Sequence, residues 1–123
     1  ENFRWYIVPN INPDGYVHTW LKDRFWRKTR SKQRNGCFGV DMKRNWDTTT
    51  WLDDIDSCSP YFAGDEPMSE IETRNVRDAI ISRSDQLTMY ISLQSYGQNI
   101  IVPGLQGSYD FNYDYDAQVK IEY

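Results

Sequence analysis

The chain holds a single histidine, and that scarcity excludes more chemistry than any other feature of its 123 residues. His18 is followed three places on by Leu21 rather than by an acid, so no H-x-x-E metal pair exists within the chain. One histidine and two cysteines fall short of the usual four-ligand zinc set. A histidine without such partners is expected to be a partly exposed side chain near a turn. A G-x-S-x-G elbow, a phosphate-cradling glycine loop and a C-x-x-C pair are all missing, which removes the commonest hydrolase, nucleotide and thiol-redox classes. Self-contained catalysis is therefore not expected. Long apolar runs are also lacking: none approaches the ~18 residues of a membrane-spanning helix. The first residues, Glu1 to Trp5, have neither the basic start nor the apolar stretch of a signal peptide. The reading is a soluble chain, or one that begins after processing, with no membrane partner. Cys37 and Cys58 are too few to form a pattern. Bonded, they would stabilise the fold by roughly 3 kcal/mol and imply an oxidising compartment; two unrelated free thiols fit the spacing equally well.

Aromatic residues, by contrast, are plentiful. They make up 15% of the chain within a hydrophobic share of 39%, which excludes disorder from apolar poverty and suits one packed domain. The net charge of -4 hides a strong asymmetry. Lys22 to Arg44 holds nine basic residues against Asp23 and Asp41, a net +7, whereas the remainder after Arg44 is acidic. A basic patch is expected there, but acidic flanks oppose nucleic-acid binding, which is the least favoured reading.

No repeat or low-complexity linker interrupts the chain, which reads as one continuous piece of a domain. The apolar run Trp5 to Val8 predicts a strand covered on both faces. Asn12-Pro13-Asp14-Gly15 reads as a turn, since proline presets φ and glycine accepts positive φ. Residues 45 to 64, rich in Asp, Thr and Ser, read as a long loop. Ser69 and Glu72 match the S-x-x-E capping box, and Val76, Ala79 and Ile80 recur at helical spacing, so a helix is expected from about Glu70 to Arg83. Leu87, Met89, Ile91 and Leu93 alternate with more polar residues, the period of a strand. Strand, helix and strand together indicate α/β layering, with ligands expected beyond the strand ends near Gln94, Ser95 and Tyr96.

Between Arg24 and Arg30 guanidinium groups interleave with Phe25 and Trp26, and Lys43-Arg44-Asn45-Trp46 repeats the theme. Such a pattern suits a cleft that holds a carboxylate or polarises a carbonyl. A solvated charged face is the alternative on pattern alone.

With these stretches in view, the chain resembles the zinc metallocarboxypeptidases related to pancreatic carboxypeptidase A (peptidase M14). The matching segments are Asn12 to Tyr16, Arg24 to Ser31, Cys37 with Gly39-Val40-Asp41 into Arg44-Asn45-Trp46-Asp47, Cys58, Ser69-Glu70, and Ser92 to Gln98. The likeness is clear over residues 1–103 and weak over 104–123, where Asp116 to Ile121 resembles only the beginning of a family helix. It implies an α/β domain with a mixed central sheet flanked by helices, secreted or extracellular handling, and a disulfide joining Cys37 to Cys58. It also implies zinc as cofactor and removal of the C-terminal residue of peptides. By position, Arg27 would polarise the scissile carbonyl and stabilise the oxyanion, and Arg44 would grip the terminal carboxylate in a bidentate fork. Arg24, Ser95 and Tyr96 fall at neighbouring substrate-backbone subsites, with the Ser95-Tyr96 bond cis as in relatives.

The likeness also has gaps. Gln94 stands where the family has a zinc-binding histidine, and an amide oxygen is a poor zinc ligand. Lys43 replaces an asparagine that shares the carboxylate with the arginine, a substrate-binding role an ammonium fills with looser geometry. The family's H-x-x-E pair would lie before Glu1, and its tyrosine and general-base glutamate after Tyr123. The chain thus corresponds to about two-fifths of the family's catalytic domain and is expected to be incomplete by itself. Zinc-activated hydrolysis is not expected of this chain alone, and no zinc is expected to be bound by it. Two functional expectations follow: part of a zinc carboxypeptidase with impaired activity, or a non-enzymatic pseudoenzyme that binds peptide C-termini or serves assembly. Exposed sheet edges would call for other protein chains to complete the fold.

Overall fold

Two helices are formed in this computed structural model, which describes residues 3–47, 56–95, 97, 98 and 100. The chain divides into two compact units, Glu1–Thr88 and Met89–Tyr123.

In the first unit, α1 spans Pro13–Leu21. Its start is dictated locally. The Asn12 side chain accepts from the Gly15 N–H at 2.9 Å, Pro13 supplies a preset φ where no N–H is needed, and Asp14 complements the positive end of the helix. The turn expected at Asn12 to Gly15 is therefore corrected to a helix start: residues that favour turns are also those that cap helices. The helix stops at Lys22, whose N–H bonds back to the His18 carbonyl. Asn12 Nδ2 donates to the Lys28 carbonyl at 2.9 Å, which pins this helix end to the basic segment.

Helix α2, Ile71–Ile81, falls within the range expected from its apolar spacing. Its N-cap is Glu70 and no side chain caps it, so the expected Ser69–Glu72 capping box does not form. Buried demands elsewhere win: the Ser69 hydroxyl accepts from Asn45 Nδ2 at 2.8 Å and lies 3.2 Å from Glu70 Oε1. Arg74 fastens the helix to the preceding turn by donating to the Met68 and Ser69 carbonyls. At the other end Arg83 donates to the Ala79 carbonyl, a cation at the negative pole.

Between the helices the chain doubles back on itself. Thr29 N–H donates to the Val40 carbonyl, Gly39 N–H to Ser31 and Gln33 N–H to Cys37, around the isolated antiparallel bridge Lys32–Phe38. Among the described residues this bridge is the only β pairing. The expected strands at Trp5 to Val8 and Leu87 to Leu93 carry no ladder, and their apolar side chains are open: Ile7 is 78% exposed and Leu93 91%. A strand needs a hydrogen-bonded neighbour, and none of the described residues supplies one. The mixed sheet is thus not seen here. The long irregular stretch expected over 45–64 is found where it is described; residues 48–55 lie outside the described set, as does the helix start expected at Asp116 to Ile121.

Among the described residues the interior is small and largely polar. Val40, Phe62 and Ala63 are its buried hydrophobic members, beside Lys28, Thr29, Asp41, Asn45, Glu70 and Thr73. Asn45 is fully enclosed; its amide donates to the Ala63 carbonyl and Ser69 Oγ, its side-chain oxygen accepts from the Glu70 N–H, and its own carbonyl accepts from Met68. Buried polar groups are tolerable when satisfied in this way. Cys37 and Cys58 form a disulfide that ties the doubled-back segment to the stretch leading into Phe62.

Candidate functional site

The basic segment and the turn after Val40 are drawn together by a buried acid. Asp41 is 2% exposed, its N–H donates to the Phe62 carbonyl, and its Oδ1 accepts from the Lys43 N–H at 3.2 Å. Oδ2 receives two guanidinium groups: Arg27 Nη2 at 2.7 Å and Arg44 Nε at 3.3 Å. Both arginines also lie over the ring of Tyr61, with 5.2 Å from Arg27 and 5.1 Å from Arg44 to its centroid. They are half exposed, so each offers its remaining N–H groups outward. Two cations against one carboxylate leave one positive charge in surplus, the complement of a single anionic group.

Lys28, next in sequence, turns inward. Its ammonium donates to the Ser57 carbonyl at 2.9 Å and sits near the Trp26 and Phe62 rings. Burial pushes its pKa below the ordinary lysine value, with Asp56 pulling it part of the way back. Trp26 Nε1 donates to the Lys28 carbonyl at 2.6 Å, and the Arg30 guanidinium lies over the rings of both Trp26 and Phe38, 4.4 and 4.7 Å from their centroids. Trp26 therefore serves to hold the bases around it, whereas Phe25 is open to solvent, and the segment is not a uniformly solvated face.

Of the residues singled out from sequence, Arg27 and Arg44 come together as described. Lys43 lies beside them through its backbone, with its side chain exposed. Arg24 is exposed in the turn after α1. Gln94 and Ser95 belong to the second unit; both are exposed, and Gln94 Nε2 donates to Ser92 Oγ at 3.1 Å. Tyr96, and with it the Ser95-Tyr96 peptide bond, lies outside the described residues. Asp41 and Tyr61 went unrecognised as site residues. The signal for Asp41 was its position as one of two acids among nine bases; for Tyr61 there was none.

A zinc ion does not fit the residues described. Among them no three His, Cys, Asp or Glu side chains lie together as a ligand set. His18 is half-buried and meets Trp26 edge-on, with centroids 4.9 Å apart, and both cysteines are bonded to each other.

A buried acid thus joins a pair of half-exposed arginines, on a stretch tied by the Cys37–Cys58 disulfide. The chain belongs to the zinc carboxypeptidase family, whose pattern matches residues 1–122. It is 44% identical over 109 residues to carboxypeptidase B of Astacus astacus, covering 84% of this chain and 35% of that protein. It is 43% identical to carboxypeptidase O of Bos taurus, covering 84% of this chain and 28% of that one. The structure of thrombin-activatable fibrinolysis inhibitor superposes with a TM-score of 0.80 at 36% identity, over 91% of this chain and 29% of that one. The bovine form of that protein, solved in complex with a tick carboxypeptidase inhibitor, gives a TM-score of 0.77 at 36% identity, over 89% of this chain and 38% of that one. The chain thus matches part of the fold of these solved structures, and spans about a third of the length of the curated relatives it matches. Among the described residues no helix is long and apolar enough to cross a membrane.

Proposed function

We propose that the chain carries the carboxylate-binding part of a carboxypeptidase-type peptide site, with Arg44 as the grip on the C-terminal carboxylate and Arg27 aimed at the neighbouring carbonyl. By their family positions, Arg24, Lys43, Ser95 and Tyr96 are assigned to substrate binding as well. The observation that carries this reading is the convergence of Arg27 and Arg44 on Asp41 Oδ2, which leaves one surplus charge and several outward N–H groups. The activity of the wider family is zinc-dependent hydrolysis of the C-terminal peptide bond. In this protein that activity is impaired, because Gln94 replaces imidazole with a weak amide ligand. Capture of peptide C-termini without turnover, as a pseudoenzyme, is the reading Gln94 favours. The Cys37–Cys58 disulfide supports an extracellular, oxidising setting, and the open apolar side chains around Ile7 and Leu93 support completion of the fold by other protein surfaces.

The test is binding of an N-acetylated tripeptide with a free C-terminus against its C-terminally amidated twin. The free acid is expected to bind about tenfold better, since a charge-assisted pair contributes about 1.5 kcal/mol or more. Arg44→Ala is expected to abolish that preference. Equal binding of acid and amide overturns the reading. Stoichiometric zinc with measurable exopeptidase turnover overturns the impairment.

A further inference from the structure

We infer that Asp41 and Tyr61 form the positioning unit that orients Arg27 and Arg44 together toward one peptide C-terminus, Arg44 for the carboxylate and Arg27 for the adjacent carbonyl, an inference that rests on the peptide-carboxylate reading above. Two guanidinium groups this close repel each other, and long arginine side chains on a half-exposed surface have many rotamers. Something must oppose both tendencies if they are to act together. Asp41 does so electrostatically: one buried oxygen accepts from Arg27 Nη2 at 2.7 Å and lies 3.3 Å from Arg44 Nε. Its own place is fixed by backbone bonds, the Asp41 N–H to the Phe62 carbonyl and the Lys43 N–H to Oδ1, so the arginines are referenced to the rigid interior. Tyr61 does so sterically. Its ring lies under both guanidinium groups at nearly equal distance, which restricts their tilt. The nitrogens engaged inward differ, Nη2 on Arg27 and Nε on Arg44, so among the described residues Arg44 keeps its two terminal nitrogens for an incoming carboxylate and Arg27 keeps Nη1 and Nε for the adjacent carbonyl.

This assignment predicts an effect opposite in sign to that of simple charge attraction. Neutralising Asp41 raises the local charge from +1 to +2. If the arginines acted only as a positive patch, Asp41→Asn would bind the free-acid tripeptide more tightly. With Asp41 as the positioning residue, Asp41→Asn instead weakens free-acid binding about tenfold and removes most of the preference over the amidated peptide. Tyr61→Leu, which alters no charge, lowers the preference about threefold, and Tyr61→Phe restores it because only the ring face is used. The experiment measures affinities of both peptides for the 123-residue chain and these variants, with circular dichroism to establish folding. Because Asp41 is buried and its variant can lose structure, the Tyr61 pair at an exposed position decides the case independently. Unchanged preference in Tyr61→Leu, or equal or tighter acid binding by folded Asp41→Asn, overturns the positioning role while leaving the peptide-carboxylate reading intact. Absence of any acid preference in the unmodified chain overturns both.

Discussion

Thr29 Oγ1 donates to Glu70 Oε2 at 2.6 Å in the buried interior, joining residues 41 apart in the chain. The same hydroxyl accepts from the Val40 N–H at 2.9 Å, so one small side chain ties the arginine-bearing segment, the doubled-back segment and the start of α2. The segment that presents Arg27 is therefore positioned by a polar junction more than by apolar packing.

That junction is sensitive to loss of one oxygen. Thr29→Val keeps the shape but leaves the Glu70 carboxylate and the Val40 N–H short of a partner, and should cost about 3 kcal/mol. Thr29→Ser keeps the hydroxyl and should cost under about 1 kcal/mol. Urea unfolding of the two variants checks the contrast, and equal stabilities would mean that the methyl group rather than the hydroxyl matters.

The same physics explains what was legible beforehand. Helix α2 could be read from Val76, Ala79 and Ile80 because helical spacing is local, and its hydrogen bonds close within the segment. Trp5 to Val8 and Leu87 to Leu93 announced strands equally clearly, but a ladder depends on a neighbour that no local pattern specifies. Asn12 to Gly15 carried residues suited both to a turn and to a helix start, and only the Asn12–Gly15 bond decides between them. The capping box failed because Ser69 had a second suitor, Asn45, 24 residues away. Arg27 and Arg44 were visible as types and by family likeness. Their joint tether, Asp41, was visible only as an odd acid in a basic run, and Tyr61 not at all, because convergence in space leaves no mark on spacing.

Gly39 offers a sharper test of the doubled-back segment. Its φ is +81°, and a Cβ there would run into the Thr29 carbonyl, a backbone atom that cannot swing aside. Gly36 has a similar φ of +84° with open space around it. Gly36→Ala should cost about 1 kcal/mol from positive φ alone, and Gly39→Ala at least about 2 kcal/mol more. Thermal unfolding of both variants gives the comparison; matching losses would show that backbone conformation, and not the close approach, sets the requirement.

Reduction of Cys37–Cys58 should lower stability by roughly 3 kcal/mol, the loop-entropy value for a closure of this size. It should also loosen Ser57, next to Cys58, whose carbonyl holds the Lys28 ammonium. The measurement is the unfolding midpoint with and without reductant, with Cys37→Ser/Cys58→Ser as the permanent counterpart. A midpoint indifferent to both would show that the hydrogen bonds around Phe62 hold the loop by themselves.

Lys28 gives stability a pH dependence whose sign is fixed by its environment. The residue is 4% exposed, and burial, the largest influence, lowers its pKa below 10.5; Asp56 and Asp41 oppose the shift and Arg30 adds to it. Unfolded, the lysine keeps its proton up to 10.5, whereas folded it releases it at lower pH. Between those two values the unfolded state binds more protons, so the contribution of Lys28 to stability rises with pH; below the folded value the burial penalty is felt in full. Other groups titrate in the same alkaline range, so the readout is a difference. Lys28→Met keeps the aliphatic packing on Trp26 and Phe62 and removes the charge. Near pH 7 the variant should lie within about 1 kcal/mol of the parent, because a buried charge replaced by an apolar chain is often close to neutral. As the pH rises toward 10.5 the parent should gain on the variant, because its lysine becomes neutral where it is buried. Urea unfolding of both proteins across that range measures the gap. A gap that stays constant would mean the ammonium is solvated in the folded chain, and one that moves the other way would mean that the Ser57 carbonyl and Asp56 stabilise the charge by more than burial costs it.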